Sequence, residues 1–148
     1  MIKGINRLKL IGKNIEDLKT ISAYSQDSIV KIKDIVYLKE NKIFIVMLSR
    51  FMWEDLEKGV FRNYKRIKNV LKFSSIESVL AKNIKQQQKN RNLELLAIKC
   101  IYNKNNLYDI SLVFSGNSII LLKSEEIDVM FEDQQHFWEV KHFPKHKI

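Results

Sequence analysis

The chain has 148 residues, of which 45% are hydrophobic, and a formal net charge of +9. That length fits one domain spanning 1–148, with enough apolar residues for a core that needs no covalent staples. A lone cysteine, Cys100, excludes an internal disulfide, CxxC redox chemistry and Cys-rich zinc sites, while no apolar run nears the roughly 20 residues of a membrane span and no signal-peptide core opens the chain, so a cytoplasmic, non-membrane protein is expected.

The first element is a short strand, because Arg7–Ile11 alternates with period two until Gly12 breaks it. Asn14 followed by Asp17, with Glu16 between them, has the pattern of a helix N-cap. Ile15, Leu18 and Ile21 then recur at helical spacing, which predicts a helix from Ile15 to about Ser25. Ile29–Leu38 and Ile43–Leu48 read as strands joined by the polar turn KENK, an antiparallel hairpin. FMWEDLEKG predicts a short helix with acids in its early turns and Gly59 as its stop. Asn69–Ala81 reads as a strand with an irregularity at the paired serines. KNIKQQQKNRN, residues 82–92, is polar except for Ile84 and is expected to be a mobile loop.

Leu93–Tyr102 and Leu107–Phe114 flank NKNN as a second hairpin. Gly116-Asn117 marks a tight turn into Ser118–Leu122, and Ile127, Val129 and Phe131 alternate inward in a last strand. FWEVKHFPKHKI closes the chain as an aromatic and then basic tail. IVYLKENKIFIVMLS and IKCIYNKNNLYDISLVFS share the order apolar strand, Tyr, polar turn, aromatic, apolar strand, which suggests duplication of a hairpin unit. The predicted fold is α+β: a mostly antiparallel sheet of seven or eight strands with one clear helix and one short one.

Charge is unevenly distributed. Lys, Ile and Asn number 21, 20 and 12, and all three use A- and T-rich codons, so bulk basicity by itself carries little functional weight. Codon bias scatters lysines, however, whereas residues 58–91 hold ten basic side chains against Glu77 alone. Residues 124–139 hold six acids and no Lys or Arg. Either these two blocks pair within the fold, or the basic one forms an exposed surface for a polyanion, with Lys82, Lys85, Lys89 and Arg91 as its candidate contacts.

Catalytic signatures are missing. No GxxxxGK[ST], GxGxxG or GxSxG occurs, and no cofactor is expected. Cys100 lies in a core-strand pattern that suits an inert thiol. The three histidines, His136, His142 and His146, crowd into the tail, but their spacing does not define a metal site and no metal is expected. One polar–aromatic constellation remains: Gln26 and Asp27 after the helix, and Arg50, Trp53 and Glu54 after the second hairpin strand. If helix end and strand end meet, Asp27 can pair with Arg50, and such a pair is more often structural than catalytic. Trp and Arg are also common interface anchors.

LKLI, ISAYSQDSIVKI, SRFMWE, LKFSSIESVLAKNI, LELLAIK and FPKH occur in an order that resembles a family of small, chiefly alphaproteobacterial proteins grouped as the domain of unknown function DUF2948. The resemblance spans nearly the whole chain. It implies that Gln26, Asp27, Arg50, Trp53, Glu54 and His146 belong to the family's pattern and implies no activity or cofactor. Asn83 and Ser74 depart from that pattern, where glycine and an acid are expected, and His136 and His142 do not match it.

The leading reading is a non-enzymatic binding or protein-interaction module, one form being a homo-oligomer in which basic middle meets acidic stretch. Nucleic-acid binding through 58–91 is the first alternative. An enzyme acting on a small anionic ligand through Asp27, Arg50 and Glu54 is the second.

Overall fold

The computed structural model describes residues 7–53 and 64–140. Among these residues, ten strands and one complete α-helix follow in the order β1 (Lys9–Gly12), α1 (Ile15–Ser25), β2 (Ser28–Lys31), β3 (Ile35–Leu38), β4 (Ile43–Phe51), β5 (Tyr64–Phe73), β6 (Ile76–Lys82), β7 (Asn92–Tyr102), β8 (Tyr108–Phe114), β9 (Ser118–Ser124) and β10 (Val129–Val140). Every pairing is antiparallel, in the spatial order β1-β10-β5-β4-β2-β7-β8-β9-β6, with β3 also on the edge of β4. The α+β class and the repeated hairpins are as expected. β3–β4 and β7–β8 are both antiparallel hairpins.

The strand count exceeds eight because two expected strands are each broken once. A 3-10 turn at Ile32–Asp34 divides 29–38 into β2 and β3. Both pieces still run along β4, with Ile29 opposite Ser49 and Ile35 opposite Val46. The irregularity at the serines is a full corner. Ser75 sits at φ 62°, the Ser74 N–H bonds to the Asp128 carbonyl, and the Ile76 N–H bonds to the Lys42 carbonyl. The chain therefore leaves the neighbourhood of β10 and joins β9. β10 also runs through Val140, into what the alternation alone treats as a tail. The short helix expected over FMWEDLEKG lies almost wholly outside the described residues, with only Phe51, Met52 and Trp53 inside them.

Helix α1 starts where its capping pattern places it. The Asn14 side chain accepts the Asp17 N–H at 2.8 Å, and the Asp17 carboxylate reaches back to the Lys13 N–H at 2.8 Å. Leu18 and Ile21 face the sheet, and Ser22 Oγ accepts the Ile98 N–H at 2.9 Å, fastening the helix to β7. Gly12 lets β1 pass close to the helix, since a Cβ there would meet Ile21 Cδ1 at 3.1 Å. Gly116 and Asn117 both take left-handed backbone to turn β8 into β9.

The inward phases of the strands make one core that includes Phe44, Phe73, Phe114 and Phe131. The sheet curls so that β6, at one end of the order, comes back to the β3–β4 hairpin. There Tyr37 Oη donates to the Ile76 carbonyl at 2.9 Å and Lys42 pairs with Glu77 at 2.8 Å. Among the described residues, no helix is long and apolar enough to cross a membrane.

Candidate functional site

Arg50 points inward from β4 and reaches across β5 to Asp133 on β10. Its Nε and Nη2 donate to the two carboxylate oxygens at 2.7 and 2.6 Å, and both side chains have zero exposure. Asn69, on the intervening strand and opposite Asp133, donates Nδ2 to Oδ1 at 2.9 Å. The Leu8 N–H adds a fourth donor at 2.8 Å, while the Asp133 N–H bonds to the Leu8 carbonyl. A carboxylate offers about four lone-pair positions, so Asp133 is saturated. Arg50 also donates to its neighbour's carbonyl on Phe51 and lies 5.8 Å over the Phe131 ring. A buried, bidentate, fully hydrogen-bonded pair of this kind locks three strands in register. The β10 register slips between Asp133 and Phe137, immediately beyond the lock.

Thus Arg50 grips Asp133. Among the described residues, no hydrogen bond or ion pair joins it to Asp27. The alternation that places Val129 and Phe131 inward also places Asp133 inward, and Asn69 shares phase with Leu71 and Phe73. A charge on the apolar phase of a strand is the signal that identifies this partner.

Gln26, Asp27 and Trp53 do come together, at the corner where α1 ends beside the end of β4. Gln26 caps the helix, and its carbonyl accepts Trp53 Nε1 at 3.0 Å. Trp53 packs edge-on against Phe51, with ring centroids 4.7 Å apart. Asp27 is buried in left-handed backbone at φ 63°, and its N–H bonds to the Leu95 carbonyl. Sequence reading passed over Arg66, whose Nη1 donates to the carbonyls of Asp27 and Ser49 at 3.3 and 3.0 Å. Burial pulls the Arg66 pKa down, with the charges of Asp27 and Glu94 opposing that shift. Glu54 and His146 lie outside the described residues.

The other candidate residues are fully on the surface. Lys82, Lys85, Lys89 and Arg91 are all exposed, and none forms an ion pair among the described residues. Their segment is laid against the 3-10 turn, with the Ile32 and Lys33 N–H groups bonded to the carbonyls of Arg91 and Lys89 at 3.1 and 3.0 Å. Lys85 and Arg91 line an open depression of about 640 Å³ with Asn83, Gln88 and Gly116. On the other side of the turn, Lys31, Lys33, Arg66 and Lys68 line a cleft of about 510 Å³ in which Asp34 is the single acid. That cleft exists because the 3-10 turn lifts the chain away from Met47 and Leu48 of β4.

The acidic stretch is engaged elsewhere. Lys9 pairs with Glu132 at 3.4 Å, Lys13 with Asp128 at 2.7 Å and Lys42 with Glu125 at 3.8 Å, while Ser75 donates to Glu126. Within the basic block, β5 runs beside it, with Lys65 opposite Glu139 in the backbone register, and the Ser74–Ile76 corner meets its start.

Half-buried Cys100 lies on β7, and burial pushes its thiol pKa up to about 11, with Asp109 adding to the shift. At pH 8 it therefore holds about a hundredfold less thiolate than an ordinary cysteine. Iodoacetamide is expected to alkylate it about a hundredfold more slowly than free cysteine, with the ordinary rate returning in urea. An alkylation rate matching free cysteine in the folded protein would contradict this placement. Among the described residues, no group of His, Cys, Asp and Glu could hold a metal ion.

A ten-stranded antiparallel sheet with a packed helix, a sealed Arg–Asp–Asn cluster and an exposed basic segment define an α+β fold, with no metal-holding group among the described residues. The chain belongs to the DUF2948 family, described as proteins of unknown function, which it matches over residues 8–146. No curated protein and no solved structure matches it.

Proposed function

We propose that this protein is a non-enzymatic binding module that engages a nucleic-acid backbone through the 82–92 segment and the basic cleft beside it. The observation that carries this reading is the exposure of Lys82, Lys85, Lys89 and Arg91 without an ion pair among the described residues. Their like charges repel, and the segment is held by the Gln88–Lys85 and Arg91–Gln88 backbone hydrogen bonds and by those of Arg91 and Lys89 to the 3-10 turn. An approaching phosphate chain relieves that repulsion and releases its counterions. Lys31, Lys33 and Lys68 extend the same field around the 3-10 turn.

Self-association of basic middle with acidic stretch is supported less well, because Glu125, Glu126, Asp128, Glu132 and Asp133 already have partners within the chain. An enzyme built on Asp27 and Arg50 has weaker support still. The guanidinium of Arg50 is sealed from solvent, and the carboxylate it binds has no acceptor position left.

The test is anisotropy of a labelled single-stranded RNA with the wild-type chain and with a variant carrying Lys82→Gln, Lys85→Gln, Lys89→Gln and Arg91→Gln. All four side chains are exposed, so unfolding stability should stay within about 0.5 kcal/mol per site. Loss of binding in an otherwise stable variant is the expected result. Equal affinity of the two proteins would remove the 82–92 segment from the interface.

A further inference from the structure

The open edges of β3 and β6 face one another across an apolar cleft of about 510 Å³, within the size range of small-molecule sites. Among the described residues, β3 pairs only with β4 and β6 only with β9, so the two edges are not joined. Phe44, Val79, Ile84 and Ile120 line the interior. No acid lines it, and its two charged groups are Lys33 and Lys89, both exposed and therefore at the mouth. These two lysines are held side by side, because the Lys33 N–H bonds to the Lys89 carbonyl at 3.0 Å.

The geometry points to a binding site for an organic anion with a single apolar body, of the medium-chain fatty carboxylate class. The chain occupies the cleft and the carboxylate meets Lys33 and Lys89. A partner strand added between the two edges would be the other way to fill such a gap, but both ends are closed. Tyr37 Oη reaches the Ile76 carbonyl at one end. At the other, the 89–91 segment crosses to the 3-10 turn through the Ile32–Arg91 and Lys33–Lys89 bonds. A continuous strand has no way through, whereas a short chain with one polar end enters from the open side. The site shares Lys33 and Lys89 with the surface assigned to nucleic acid, but decanol binding in its apolar interior tests it apart from that reading.

The experiment is calorimetric titration of decanoate below its micellar concentration, with decanol as the neutral comparator. Wild type should bind decanoate up to about tenfold more tightly than decanol, the range expected of two partly exposed charge pairs. Lys33→Gln with Lys89→Gln should bring decanoate down to the decanol level and leave decanol unchanged. Ala81→Trp, at an exposed cleft position on β6, should abolish binding of both decanoate and decanol. Free carboxylate and lipid-derived anion are separated by a second titration with lysophosphatidic acid micelles. Binding of both means that the site reads the anionic amphiphile in general, and binding of decanoate alone restricts it to the single chain. Equal affinity for decanoate and decanol, undiminished binding in the Ala81→Trp variant, or no heat with decanoate would each overturn the proposal.

Discussion

Asp133→Asn should lower the free energy of unfolding by about 3–5 kcal/mol, measured by urea denaturation at constant pH. The substitution keeps the volume but removes the Asp133 charge from a fully buried pair with the Arg50 guanidinium. It also replaces one of the two oxygens with an amide donor, which then faces either Nε and Asn69 or Nη2 and the Leu8 N–H, two donors that require an acceptor. Arg50→Met should cost a similar amount, because a buried carboxylate then keeps only two neutral donors. The double variant Arg50→Met with Asp133→Leu should recover much of the loss, since apolar replacement of a whole buried pair is often close to neutral. The coupling energy from that cycle separates the pair from its packing. A cost below about 1 kcal/mol for either single change is what an exposed pair would show, and would contradict the sealed geometry.

Phe131→Ala should cost about 3–5 kcal/mol by the same measurement, as expected for a fully buried aromatic ring. Phe131 has no exposure and sits between Leu10 and Leu71 in the register, so neighbouring strands prevent collapse of the cavity. Its ring also faces the Arg50 guanidinium. Phe131→Leu fills more of the space but has no π face, and its residual cost above the lost burial reports the cation–π contact, about 2 kcal/mol when desolvated. If Phe131→Ala unfolded at the wild-type urea midpoint, Phe131 would not be buried between β1 and β5 as described.

Local pattern carries much of this fold into the sequence. The Asn14–Asp17 cap, the alternation of Ile127, Val129 and Phe131, and the Gly116-Asn117 turn each depend on neighbours within a few residues. The divisions at Ile32–Asp34 and Ser75 are less legible, because they answer to tertiary contacts. The first follows how two short strands share the edge of β4, and the second follows hydrogen bonds from Asp128 and Lys42. The site divides the same way. Trp53 and Gln26 meet at a junction that the chain order suggests. Asp133, which Arg50 grips, lies 83 residues away, and nothing local to Arg50 distinguishes Asp133 from Asp27. Only the inward phase of Asp133 along β10 does so. The exposure of the 82–92 cations likewise depends on which lysines the acidic stretch takes, and Lys9, Lys13 and Lys42 are set beside it by β1, the start of α1 and the β3–β4 turn.

The most direct measurement is the salt dependence of single-stranded RNA affinity for the wild-type chain. Counterion release by four or more phosphate contacts gives a slope of about −3 or steeper in log affinity against log salt, and removing the four 82–91 cations should flatten it by about 3. Failure to bind RNA at low salt, or a slope that the four substitutions leave unchanged, would contradict the assignment of this basic surface to a nucleic-acid backbone.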